Sequence, residues 1–159
     1  MKKILPILLL FIASSSLSAQ SIVEALTSGT QKGKGTLMGA EAEFSMQWEW
    51  TLNDQFLKLT FANSRKSKEG TPIVFKANGF YKLLDDSRVV GNWFDSRGIS
   101  FPLNGTITDT ELTIIWGTPQ TEQGKTVYQL TPDNQINVID FFLADGQYRQ
   151  FGEASYAQN

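Results

Sequence analysis

The sequence has no cysteine and no histidine among its 159 residues, and several chemistries go with them. Without cysteine there is no disulfide, no thiolate nucleophile and no lipid-bearing residue at a cleavage site. Without histidine there is no Ser-His-Asp or Cys-His relay. Structural zinc, blue copper, iron–sulfur clusters and His-ligated haem lose their usual ligands, which leaves oxygen donors or unusual Met or Tyr ligation. No metal and no cofactor are expected. Basic charge is also short, with 14 Lys and Arg against 16 Asp and Glu, which argues against a nucleic-acid partner. The one basic cluster, Arg65-Lys66-Lys68, carries Glu69 beside it and reads as a solvated turn. Stability must come from the packing of a core.

Long apolar runs are missing too. The longest, Ile4 to Ala13, follows Lys2 and Lys3 and precedes the small, polar stretch Ser14 to Ala19. That order is the pattern of an export signal, and the run is too short for a permanent membrane span. Cleavage after Ala19 is expected, giving a signal peptide over 1–19 and one domain over 20–159, periplasmic or secreted, with no integral membrane anchor. The 140 residues left are enough for one sizeable core and too few for two.

What is present is alternation. Ala42, Phe44, Met46, Trp48, Trp50 and Leu52 alternate without error with Glu43, Ser45, Gln47, Glu49 and Thr51, so the strand has one wet and one buried face. Further strands are expected at Lys34–Met38, Leu57–Asn63, Ile73–Leu84, Arg88–Phe94, Ile99–Leu103, Glu111–Gly117, Thr126–Leu130, Gln135–Phe142 and Tyr148–Tyr156. Turn residues separate them at Asn53-Asp54, Asp85-Asp86-Ser87, Arg97-Gly98, Asn104-Gly105, Asp109-Thr110, Pro132-Asp133-Asn134 and Asp145-Gly146. Ahead of them Ser21-Ile22-Val23-Glu24 matches a capping box, which predicts about two helical turns or a tighter 3₁₀ segment before Gly29. The fold class is all-β: a single antiparallel meander barrel of about ten strands with a short N-terminal helix. Closure hides one face and removes both sheet edges; a β-sandwich is the alternative.

The order of features resembles a family of uncharacterised bacterial secreted and cytosolic proteins with lipocalin-like (calycin) barrels, distantly similar to nitrobindin-type haem proteins. The resemblance rests on Gly33-Lys34-Gly35, Gln47-Trp48-Glu49-Trp50, Phe56-Leu57-Lys58-Leu59, Asn92-Trp93-Phe94-Asp95-Ser96-Arg97-Gly98 and Asp145-Gly146-Gln147-Tyr148-Arg149. It implies a barrel with an interior cavity and no established reaction. Haem binding in the nitrobindin-like relatives uses a histidine, so it does not carry over.

Three groups of residues are candidates for ligand binding. Trp48, Trp50, Tyr81, Trp93, Trp116, Tyr128 and Phe142 either line a cup for an apolar or planar ligand or fill an ordinary core. Asp95 and Arg97 either orient a polar head group at the barrel mouth or form a local turn. Asp140 and Arg149 lie on strands that pair around Asp145-Gly146; pointing inward they make a buried ion pair, outward a surface pair. Periodicity cannot choose, because both faces of Ile136–Phe142 are largely apolar. Glu41, Glu43 and Glu49 share a wet face, which speaks against a two-carboxylate hydrolase, and no loop carries the alternating acidic ligands of a calcium site. Asn104-Gly105-Thr106 matches a glycosylation sequon and reads as a hairpin turn.

The function these residues imply is non-catalytic binding of a small apolar or amphipathic molecule, with oligomeric state left open. One rival is an isomerase or cyclase on the same barrel using Asp, Arg and Tyr. The other is a filled barrel that acts through its surface in the cell envelope.

Overall fold

A computed structural model describes residues 21–157; the expected signal peptide lies outside the described residues. Ser21 accepts from the backbone N–H of Glu24 while the Glu24 carboxylate accepts from that of Ser21, and this capping box starts α1 (Ile22–Leu26). Ten strands follow: β1 (Thr30–Leu37), β2 (Ala40–Thr51), β3 (Phe56–Lys66), β4 (Pro72–Leu83), β5 (Arg88–Asp95), β6 (Ser100–Ile107), β7 (Glu111–Gly117), β8 (Gln123–Leu130), β9 (Ile136–Ala144) and β10 (Gln147–Ala157). Each pairs antiparallel with its neighbour in sequence, and β10 returns to β1, so the sheet is a closed barrel and not a sandwich.

The alternation read in the sequence becomes inside and outside. In β2, Ala42, Phe44, Met46 and Trp48 are buried, while Glu41, Glu43 and Glu49 are exposed. Two expectations need correction. Asn104-Gly105 is not a turn: β6 runs through it to Ile107, with Gly105 opposite Val89 on one side and Ile114 on the other. Glycine fits there because a Cβ would meet the Thr113 carbonyl oxygen. Arg65-Lys66 is likewise not a turn but the end of β3, and Arg65 lies opposite Ala42 and Ile73.

The two ends of the barrel differ. At the end where odd-numbered strands begin, α1 lies against β8 and buries Ile22, Ala25 and Leu26 completely. The Ile22 N–H donates to the Asp109 carbonyl (2.7 Å), and buried Gln31 on β1 donates through Nε2 to the Ala25 carbonyl (2.6 Å) at the helix C-terminus, satisfying backbone groups that a short helix leaves open. The other end carries only the hairpin connections, such as Asp145-Gly146, both at positive φ (52° and 73°) as a type I′ turn requires. No helix covers this end among the described residues.

Candidate functional site

The lumen holds a cavity of about 500 Å³ reaching the uncovered end, a size typical of small-molecule sites. Two close approaches keep it hollow. A Cβ on Gly33 would stand 2.8 Å from the Tyr156 ring, and one on Gly79 would stand 2.6 Å from the Tyr81 ring. With hydrogen in place of a side chain, both glycines let a tyrosine ring lie against the barrel wall rather than cross the lumen.

The inner wall is mostly aromatic and aliphatic. Phe44, Phe61, Phe75 and Trp93 form one cluster, with Phe61 6.0 Å and Phe75 6.5 Å from the Trp93 ring. Trp116 packs on Phe101 at 5.6 Å, and Phe142 on Phe151 at 6.2 Å. Met46, Leu103, Ile114 and Val138 fill the remaining wall.

Polar groups in the lumen are few. Asp140, on β9 between Thr126 of β8 and Gly152 of β10, accepts a short hydrogen bond from Thr126 Oγ1 (2.6 Å). Tyr81, Tyr128 and Tyr156 line the same space, Tyr81 and Tyr128 hydrogen-bonding through their side chains. Burial pushes the Asp140 carboxyl up to about 6, against the lowering effect of Thr126. Burial also raises all three phenols, with the Asp140 charge adding to it in each case, so they remain neutral donors. Asp140 borders the cavity, and the residue as a whole is only partly buried. Asn63, 9 % exposed, also faces the lumen, nearer the mouth.

At the mouth, Asp95 and Arg97 form a clasp. The Asp95 side chain is shielded completely from solvent and accepts from the Arg97 backbone N–H (2.9 Å), Arg97 Nη2 (2.8 Å) and Trp93 Nε1 (3.4 Å). Burial alone would raise its carboxyl, but the Arg97 bonds outweigh this and hold it below the ordinary value. Arg97 Nη1 reaches across to Glu122 (3.0 Å), and the guanidinium carbon lies 5.7 Å from the Phe75 ring centre. The clasp thus ties the turn after β5 to the turn after β7, with its guanidinium already engaged by two carboxylates.

Of the residues singled out in the sequence, Tyr81, Trp93, Arg97, Trp116, Tyr128, Asp140 and Phe142 line the cavity. Asp95 stands behind Arg97. Trp48 is buried and does not line the cavity: its ring packs against Tyr81 (4.8 Å) and Tyr128 (5.4 Å). Trp50 lies two residues further toward the α1 end, where the strand runs past the packed interior, and is 41 % exposed. Arg149 does not meet Asp140, because its guanidinium turns to Asp145 (3.3 Å) beside the hairpin. Arg65, Asn63, Thr126 and Tyr156 were not singled out. Arg65 and Asn63 share the inward phase of Leu57 and Leu59 in β3, and that phase was the available signal. Among the described residues no three acidic side chains gather as a metal set.

None of the curated proteins matches the chain. Among solved structures it is similar to Rv2717c from M. tuberculosis, with a TM-score of 0.61 and 15 % identity over 86 % of this chain and 94 % of that one, a likeness of fold. Residues 1–153 match the model described as "Family of unknown function (DUF6705)", and the chain belongs to that family.

Proposed function

We infer that the barrel is an exported, periplasmic or secreted binding protein that takes one amphipathic small molecule into its lumen in the lipocalin manner. The observation that carries the reading is the single-mouthed cavity of about 500 Å³ with an apolar, aromatic wall and few polar groups. A filled barrel acting through its surface would not need Gly33 and Gly79 to set tyrosine rings aside. Export rests on Lys2-Lys3, the apolar run Ile4 to Ala13 and the small residues up to Ala19. Catalysis is the second reading, favoured by one observation: Asp140, with its carboxyl near 6, has the acidity of a group that exchanges protons near neutral pH.

The test is native mass spectrometry of the protein purified gently from its own host, followed by organic extraction of any adduct. A stoichiometric small molecule is the expected result, and its turnover on incubation would transfer the assignment to the enzyme reading. No adduct, together with no saturable tryptophan quenching by a panel of amphiphiles, would overturn the binding reading.

A further inference from the structure

Among the described residues Asp140 is a lumen carboxylate with no cation beside it: its one hydrogen-bond donor there is the neutral Thr126 hydroxyl, and none of the ion pairs includes it. The charges on the strands around it are engaged elsewhere. Lys125, next to Thr126 on β8, sits over the rings of Phe141 (4.7 Å) and Tyr148 (4.8 Å). On β10, Arg149 pairs with Asp145, and Glu153 accepts from Gln150. The phenols of Tyr81, Tyr128 and Tyr156 feel the Asp140 charge and lend polarity without positive charge, while the charged groups that share the cavity, Arg65 near the end of β3 and the paired Arg97 and Glu122, stand at its mouth. A buried charge without a partner is costly, and proteins keep such groups where a partner arrives.

Resting on the binding reading above, we propose that the ligand is a cationic amphiphile whose ammonium group meets Asp140 inside an aromatic cage, with its apolar tail directed to the mouth. Trp116, Tyr128 and Tyr156 line the cavity with Asp140, and the faces of aromatic rings attract an ammonium as the carboxylate does. The depth suits this orientation. Asp140 lies four residues from the mouth end of β9, about 13 Å along the strand, which a strand tilt of about 40° reduces to about 10 Å of depth. The apolar rim residues Met38, Ile73 and Phe142 are exposed there to receive the tail.

The test compares decylamine, decanol and decanoate, matched in tail and different in head, by calorimetric titration of the full chain and of Asp140→Asn. At about pH 8 decylamine should bind about tenfold or more tightly than decanol, and the asparagine variant should abolish the difference. Lowering wild type to about pH 5, where Asp140 takes up a proton, should shrink the difference without any mutation, so the result does not depend on the variant folding. Decanoate binding best, drawn to Arg65 at the rim, or decylamine binding equally to both proteins, would overturn the cationic assignment and leave the binding reading standing. No binding of any of the three would overturn both.

Discussion

The two ends of this barrel are built from the same hairpin connections, yet one is shut and the other is not. At the shut end a five-residue helix buries three apolar side chains completely, and its open backbone groups are answered from Asp109 and Gln31. At the open end no helix of the described residues covers the lumen, and the cavity-lining side chains of Met38 and Phe142, 65 % and 37 % exposed, meet water. The lesson is that closing the sheet settles the fate of backbone groups, whereas closing the lumen needs a separate plug. Among the described residues, α1 supplies one at one end. Stability should therefore concentrate at the α1 end and ligand access at the mouth.

The largest effect expected breaks the plug. Leu26→Ala removes a fully buried side chain from a short helix that has little room to settle, and should cost about 2–5 kcal/mol. Met38→Ala, at the mouth, should stay within about 0.5 kcal/mol. Denaturant unfolding of the two variants tests the contrast, and equal losses would show that α1 is an ornament on a barrel stable without it.

The interior carboxylate comes next. Asp140 has an ordinary value of 3.8 in the unfolded chain and about 6 in the fold, so between those values the folded protein holds more protons. Its contribution to stability is therefore most favourable below about pH 4, declines as pH rises through 6 and stays low above it, a total of at most about 3 kcal/mol. Asp95 and Asp85, both held low by arginine partners, act in the opposite direction in more acid solution. The clean measurement is thus the difference between wild type and Asp140→Asn. The variant should gain relative stability as pH rises from 4 to 7, and parallel pH profiles would mean that the lumen solvates the carboxylate fully.

Gly33→Ala sharpens the comparison from within. Its methyl would meet the Tyr156 ring and drive it toward the lumen, costing about 1–3 kcal/mol. The same shift narrows the cavity, so amphiphile affinity should fall together with stability. Loss of stability with unchanged affinity would show that the ring finds room elsewhere and that glycine does not hold the cavity open.

These contrasts were unevenly legible in the sequence. Turn residues and strict alternation specified ten strands and their order, because both signals are local. The same locality misled at Asn104-Gly105, where a favourable turn pair is carried through β6 by pairing on both sides. Trp48 and Trp50 share one phase, and only the position of the barrel's end separates a buried indole from an exposed one. Asp140 was ambiguous for another reason. Ile136 and Val138 point inward, but Ile139 and Phe141, on the outer face, are apolar as well, and Phe141 is covered there by Lys125. Which face carries the carboxylate follows from closure, a property of all ten strands together.

The smallest stability effect belongs to the clasp, and it separates holding the fold from guarding the mouth. Glu122→Ala removes the link from Arg97 to the turn after β7 and leaves the Asp95–Arg97 pair intact. Glu122 is 56 % exposed and Arg97 44 %, so water already competes for the bond and the loss should stay within about 0.5 kcal/mol. The kinetics should respond more. Two hairpin turns on the cavity rim are joined through this guanidinium, and freeing one lets the rim open without unpairing a strand. Stopped-flow exchange of a bound amphiphile should therefore be faster in both directions, with an affinity close to wild type, because opening the rim lowers the barrier for entry and exit alike. A stability loss above about 1 kcal/mol would instead make the clasp part of the fold. Unchanged exchange would mean that the mouth stands open whether or not the two hairpins are tied.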